Sequence, residues 1–323
     1  MNIQLRTLGT LVLLLASIAI IPAAAAAAWP EKSVRIIIPW PPGGSTDIVG
    51  RLLSVELNAR LKQQVIIDNR AGAGGIVGMQ IAAAAPPDGY TLMLTSTAYG
   101  YLIDKQEAPV DLIKSFIPVA MIGTGESALT VHPSLPVKST KELIALAKAK
   151  PGALNYASSG IGGFPHMNTE LFKLKTGVDM VHVPFKGGGP ALADTMAGQT
   201  QVYLSTLVTV MSAVNSGRLR LLAVGGAKRN PHLPAVPTIS ETVPGYETYI
   251  WWGMFAPNGT PPAAIARVHA DTTAALSSPA FVKKLDEQGG APVQMSTAEF
   301  GKLMVSETVK WTEVIKAAGI KGE

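Results

Sequence analysis

No cysteine occurs anywhere in the 323 residues. Disulfides, thiolate metal ligands and lipid attachment at a cleavage-site cysteine are therefore excluded. Charge is also scarce, at 15% of residues with a net +5, and no Lys/Arg cluster interleaved with aromatics marks a nucleic-acid partner. Beyond the N-terminus no run is long and apolar enough to cross a bilayer, and there is no short repeat. Signature motifs are missing as well. Gly72-x-Gly74 is followed by Val77 where a dinucleotide fingerprint needs its third glycine, Gly78 stands one place late, and no G-x-x-x-x-G-K-S/T occurs. Ala157-Ser158-Ser159-Gly160 is not a nucleophile elbow. His132, His166, His182, His232 and His269 show no metal-ligand spacing. These absences argue against an enzyme, a cofactor and a nucleic-acid binder.

What the chain does have begins with a leader. Residues 1–28 carry Arg6, an apolar run from Leu8 to Ile21, then Pro22 and a string of alanines. A basic start, an apolar middle and small residues at the end are the layout of a secretory signal peptide. The run of 14 residues falls short of the roughly 20 that a membrane span needs. Cleavage after Ala26 or Ala28 is expected. It leaves a soluble exported chain of about 295 residues whose net charge, with Arg6 gone, is +4. That length allows two domains, and the small positive excess suits anions.

Strands alternate with helices. Val34–Ile38 is a continuous β-branched run, as in a strand buried on both faces. Pro39 to Gly44 ends it, and helical spacing follows, with Ser45 or Thr46 as N-cap and Ile48, Leu52, Val55 and Ala59 on one face. Val65–Asp68, a glycine loop at 69–75, a helix at Ile76–Ala85 and a strand at Thr91–Ser96 continue the pattern. A polar and aromatic loop, Thr97–Tyr101, comes next. A second series places strands at Ala128–His132, Leu154–Ser159, Asp179–Phe185, Gln201–Thr206, Leu219–Val224 and Trp251–Ala256. Its helices run from a capping box at Ser139/Glu142, over Pro165–Lys175, and from Pro190 as first helical residue. Pro231–Pro244 reads as an ordered surface connection. Helices at Pro262–Ser277 and Ala280–Gln288, a strand at Ala291–Met295 and a helix opened by Ser296/Glu299 finish the chain. Such alternation argues for parallel sheet covered on both sides.

Four strand ends feed a glycine loop and then a helix: Gly43–Asp47, Gly72–Gly75, Gly160–Gly163 and Lys186–Gly189. Orphan N–H groups and the positive helix end collect there and favour an anion. Two loops fall in each series, as a cleft between two domains requires, since ligands sit beyond the carboxyl ends of parallel strands. His166, beside one such loop, is either a cleft residue or a core histidine.

Several stretches resemble one family, the substrate-binding receptors of tripartite tricarboxylate transporters, also called Bug receptors. They are Trp29-Pro30, Ile38–Asp47 (IPWPPGGSTD), Asn69–Gly75 (NRAGAGG), Pro87–Leu92 (PDGYTL), Val183–Gly187 (VPFKG) with Gly189-Pro190-Ala191, and Gly253–Pro257 (GMFAP). The resemblance runs in order from Trp29 to the C-terminus. It implies a type II periplasmic-binding-protein fold: two α/β domains with a ligand cleft and two hinge crossovers, near Ser127–Val131 and Ile250–Phe255. The domains would be 29–127 plus 253–323, and 128–252. It also implies a periplasmic monomer that binds a di- or tricarboxylate or an aromatic acid and hands it to membrane permease subunits. The alternative is a ligand-dependent partner of a membrane sensor kinase.

On the resemblance, one carboxylate rests on Pro42, Gly43, Gly44, Ser45, Thr46 and Asp47, and on Ala73, Gly74 and Gly75. Ser158, Ser159, Gly160, Phe164 and His166, with Lys186 and Gly187, would close over the other end. Thr97, Tyr99 and Ser205 complete the candidate site. Lys186 is either a partner for a second carboxylate or a solvated lysine beside a turn. Gln201 and Ser205 are neutral where the family commonly has acidic residues. Either these positions face the cleft, which disfavours an ammonium-bearing ligand and lets Phe164 and Tyr99 offer flat apolar walls, or they point to solvent and Phe164 packs in the core.

Overall fold

The structure is a computed structural model that describes residues 29–97 and 110–319. Its frame is a mixed sheet in the order β2-β1-β3-β9-β4-β7-β5-β6, with β8 and β10 also paired to β4. The strands are β1 (Val34–Ile38), β2 (Val65–Asn69), β3 (Thr91–Ser96), β4 (Phe116–Val131), β5 (Asn155–Ser158), β6 (Val181–Pro184), β7 (Val202–Thr206), β8 (Arg220–Val224), β9 (Tyr249–Pro257) and β10 (Gly290–Pro292). The helices of eight residues or more among the described residues are α1 (Ser45–Leu61), α2 (Ile76–Ala83), α3 (Thr140–Ala149), α4 (Phe164–Thr176), α5 (Gly188–Met196), α6 (Leu207–Asn215), α7 (Pro262–Leu276), α8 (Pro279–Glu287) and α9 (Thr297–Ala318).

The long strand β4 divides the frame into two lobes. Phe116 to Glu126 pair antiparallel with β9, and Ser127 to Val131 pair with β7. The first lobe adds β1 between parallel β2 and β3, and its apolar cluster gathers Ile37, Phe255, Phe300 and Trp311, joined by Met167 from α4. The second lobe sets β5 between parallel β6 and β7, over a cluster of Leu129, Tyr156, Phe172 and Tyr246. The chain returns to the first lobe beside the point where it left. Gly225 N–H donates to the Ser127 carbonyl (2.8 Å), Thr248 N–H to the Gly225 carbonyl (3.0 Å), and the Ser127 and Thr248 hydroxyls lie 2.7 Å apart. Gly225 is glycine because a Cβ there would collide with the Ser127 hydroxyl.

Most predicted elements stand within a residue or two of their expected bounds, and the differences have local causes. α1 starts at Ser45 on Gly44, so neither Ser45 nor Thr46 is its N-cap. It buries Val49, Leu53 and Leu57 and leaves Val55 59% exposed. Aliphatic residues stand on two of its faces. Gly50 decides between them, because a Cβ there would come within 3.0 Å of Ile38 and Leu94. The strand expected at Ala128–His132 is the end of the much longer β4. α5 starts at Gly188, two residues before the expected Pro190. α6 was not anticipated: the apolar run after β7 carries no glycine or proline to signal the turn from strand to helix.

Candidate functional site

A cavity opens where the lobes meet. Trp40, Gly44, Ser45, Thr46 and Ser96 line it from the first lobe. Ser159, Phe164, Pro165, Gly188, Tyr203, Ser205, Thr206 and Thr209 line it from the second, and Ile250 lies at the crossing strand. Among the described residues the lining is rich in hydroxyls and contains no acidic or basic side chain. Thr46 Oγ1 donates to Ser96 Oγ (3.1 Å), and the Thr206 and Thr209 hydroxyls are 2.9 Å apart. Trp252 Nε1 donates to Ser45 Oγ (3.3 Å), and Tyr203 OH to the Gly188 carbonyl (3.2 Å). Burial raises the Tyr203 phenol well above its ordinary value, so it stays a neutral donor.

The helices α1, α4, α5 and α6 begin at this cavity. The first three start on Gly44, Gly163 and Gly187, and none of these has a side-chain cap. Glycine at the N-cap supplies no oxygen to the first N–H groups, which remain free to receive an acceptor from outside. Asp47 does not fill that role for α1. Its buried carboxylate accepts from Gly43 N–H (3.0 Å) and pairs with Arg51 (2.9 Å), which braces the loop. Hydrogen bonding to Asp47 raises the Arg51 guanidinium further, so the pair stays ionised.

The lobes touch around the cavity. A Cβ on Gly187 would collide with Pro41, and one on Gly189 would come 2.7 Å from the Pro42 carbonyl oxygen. Leu207 packs on Gly289, and His232 Nε2 lies 2.9 Å from Asp286 Oδ1 across the lobes. The empty space there, its open mouth included, is about 430 Å³.

Of the residues singled out in the sequence, Gly44, Ser45, Thr46, Ser159, Phe164 and Ser205 line the cavity. Pro42, Gly43 and Gly187 form the lip where the lobes meet. Thr97 is buried beside Ser96, and its hydroxyl has no partner among the described residues. Ala73, Gly74 and Gly75 stand one layer back, with Gly75 against the Trp40 ring. Gly160 lies within the Ser159–Gly163 loop, and Ser158 and His166 lie beneath it. Lys186 is exposed and does not line the cavity. Tyr99 lies outside the described residues. Trp40, Ser96, Tyr203, Thr206, Thr209 and Ile250 were not anticipated. Thr206 caps α6 by accepting from Thr209 N–H (3.2 Å), but with threonine and not Glu or Gln at the third helical position the sequence offers no capping box to reveal it.

A two-lobed α/β clamshell with helix starts aimed into its cleft is the build of a solute-binding receptor. The chain belongs to the tripartite tricarboxylate transporter family receptor group, whose description matches residues 49–320. Protein BugT of Bordetella pertussis is 34% identical over 98% of both chains. A solved structure described as a periplasmic transporter has a TM-score of 0.88 at 36% identity, over 91% of this chain and 99% of that one. The R. palustris protein Rpa4515, solved with adipate, has a TM-score of 0.87 at 35% identity over the same shares. MatC from Rhodopseudomonas palustris, with bound malate, has 0.84 at 29% over 89% and 100%. The fold is thus the periplasmic-binding-protein fold expected, and the family is one of receptors, not enzymes. Among the described residues, no helix is long and apolar enough to cross a membrane, and no group of His, Asp and Glu could hold a metal ion.

Proposed function

We propose that the protein captures a small carboxylate in the periplasm and delivers it to the membrane subunits of a tripartite transporter. The observation that carries the reading is the set of three glycine-started helices facing one uncharged, hydroxyl-lined cavity. Free N–H groups and the positive helix ends bind an anion without a cationic side chain. The adipate and malate named for two relatives support the same class. The leader at residues 1–28 exports the chain. The lobes close over the ligand by bending at Glu126–Ser127 and Thr248–Tyr249, where β9 begins to pair with β4. The crossover expected at Ile250–Phe255 lies inside the β4–β9 ladder, so the second lobe ends near 248 and not at 252. Phe164, Pro165, Trp40 and Ile250 contact the apolar body of the ligand, and the neutral Ser205 leaves no place for an ammonium group.

A thermal-shift screen of organic acids tests this, because a ligand of the native state raises the melting temperature. Adipate or another amino-free carboxylate raises it, and the matching amino acids do not. A rise with neutral sugars or cationic amines and none with carboxylates contradicts the reading.

A further inference from the structure

The second-lobe loop that brings Ser159 and the Gly163 helix start to the cavity is held from beneath by two histidines. Gly162 N–H donates to His166 Nδ1 (3.1 Å). His182 Nε2 lies 2.6 Å from Ser158 Oγ, and that hydroxyl accepts from Gly160 N–H (3.1 Å). The two imidazoles are stacked 4.1 Å apart at 6°, and His182 stacks on Tyr156 at 4.9 Å. The loop has little slack, since a Cβ on Gly163 would collide with Ser159 Oγ.

We propose that His166 and His182 form a positioning pair, which holds the Ser159–Gly163 loop in its ligand-receiving shape only while His166 Nδ1 is unprotonated and the two stacked rings do not both carry charge. Ser158 Oγ donates to the Gly160 carbonyl (3.2 Å), so His182 Nε2 meets it as a donor. This rests on the cleft being the carboxylate site. As an acceptor from Gly162, His166 Nδ1 must carry no proton. A protonated ring would turn an N–H towards the Gly162 N–H, and two imidazolium rings at stacking distance would repel. The charged groups facing the pair are Glu170 and Lys173 on α4, bound to each other at 2.9 Å. From β5, Tyr156 OH donates to Glu170 Oε1 (2.6 Å). On the far side of α4, α9 offers the apolar cluster that holds Met167. No anion in this set is left over to stabilise a doubly protonated pair.

Burial acts in the same direction. Burial, then the charge of its neighbour, pushes His182 down from 6.5 to about 4, and burial lowers His166 as well. A histidine depressed in the native state binds protons less readily than in a state where it is released. The native loop is therefore fully favoured above pH 6.5, and that preference is lost as pH falls towards about 4.

The test combines adipate affinity with amide exchange at Gly160 and Gly162. His166→Phe keeps a flat ring and removes the acceptor. It weakens adipate binding about tenfold, the size expected for one lost buried hydrogen bond, and speeds exchange at Gly162. His166→Asn places an oxygen near the Nδ1 position and restores both. Between pH 6.5 and 4 the wild type loses affinity more steeply than the His166→Asn/His182→Gln double variant. Protonation of adipate itself affects both alike. The proposal is overturned if His166→Phe exchanges at Gly162 as the wild type does, or if the double variant follows the wild-type pH profile. If the wild type binds no adipate at neutral pH, the cleft reading fails instead. Exchange at Gly160 and Gly162, compared between wild type and variants at each pH, then decides alone.

Discussion

Three of the four helices that begin at the cleft start on a glycine, while the fourth, α6, is capped by Thr206. Away from the cleft no helix of this set starts on an uncapped glycine whose N–H groups face a cavity: the starts there carry a side-chain cap, a proline or a tight turn. Ser139 caps α3 and Ser296 caps α9, the latter with Glu299 completing the box. α7 and α8 open on Pro262 and Pro279, which have no N–H to satisfy. α2 follows a tight turn whose carbonyls at Gly72 and Ala73 take its first N–H groups. At the cleft, Gly44, Gly163 and Gly187 leave α1, α4 and α5 without a side-chain cap. A cap is worth about 1 kcal/mol to a helix. Its absence at three starts that converge on one cavity is a local loss of stability in the place where a ligand can restore it, and such losses concentrate at functional sites.

The largest effect should come from converting a cleft start into the other kind. Gly44 has ordinary helix-cap dihedrals, and a Cβ there meets nothing closer than 3.9 Å, so Gly44→Asp should fold. Its carboxylate takes the N–H groups of α1 and adds a negative charge to the cavity. Affinity for a carboxylate ligand, measured by calorimetry, should fall at least about a hundredfold, the loss of two charge-assisted hydrogen bonds of about 1.5–3 kcal/mol each being sufficient. Thermal stability without ligand should stay level or rise slightly, because Asp is a somewhat better cap than Gly. The converse variant, Ser296→Ala, removes a cap far from the cavity. It should cost about 1 kcal/mol in denaturant unfolding and leave affinity unchanged. A loss of affinity in Ser296→Ala as large as in Gly44→Asp would dissolve the distinction between the two kinds of start.

The same contrast governs what the sequence could and could not disclose. Alternation of β-branched runs with helical spacing is local, so β1, β2, β3 and their connecting helices were legible. The family motifs carried the two-lobed architecture. The glycine loops at Gly43–Asp47, Gly160–Gly163 and Lys186–Gly189 were legible, because a glycine stretch between a buried strand and a helix marks a place where an acceptor can approach the backbone. The exact starts were not, since Ser45 or Thr46 was expected to cap α1 and Pro190 to open α5 where Gly44 and Gly187 are the N-caps. The Gly72–Gly75 turn has the same look. Its N–H groups are consumed within the turn, and it stands behind Trp40, which depends on backbone direction and not on composition. α6 was hidden because residues 202–214 read as one apolar stretch, so the cavity-lining Thr206 and Thr209 went unseen with it. Tyr203 and Ile250 line the site through strand facing set by pairing across distant parts of the chain. The histidine stack brings together residues 16 positions apart on α4 and β6, and no spacing rule marks it.

The proposed capture of a carboxylate rests most directly on the backbone N–H groups of α1. Their resonances, with those of Thr140 and Thr297 at the capped starts of α3 and α9, can be followed by amide NMR while a carboxylate found in the thermal-shift screen is added. The Ser45 and Thr46 amides should shift downfield and exchange more slowly at saturation, with Thr140 and Thr297 unmoved. Saturation that leaves Ser45 and Thr46 unchanged would show that the carboxylate is held elsewhere.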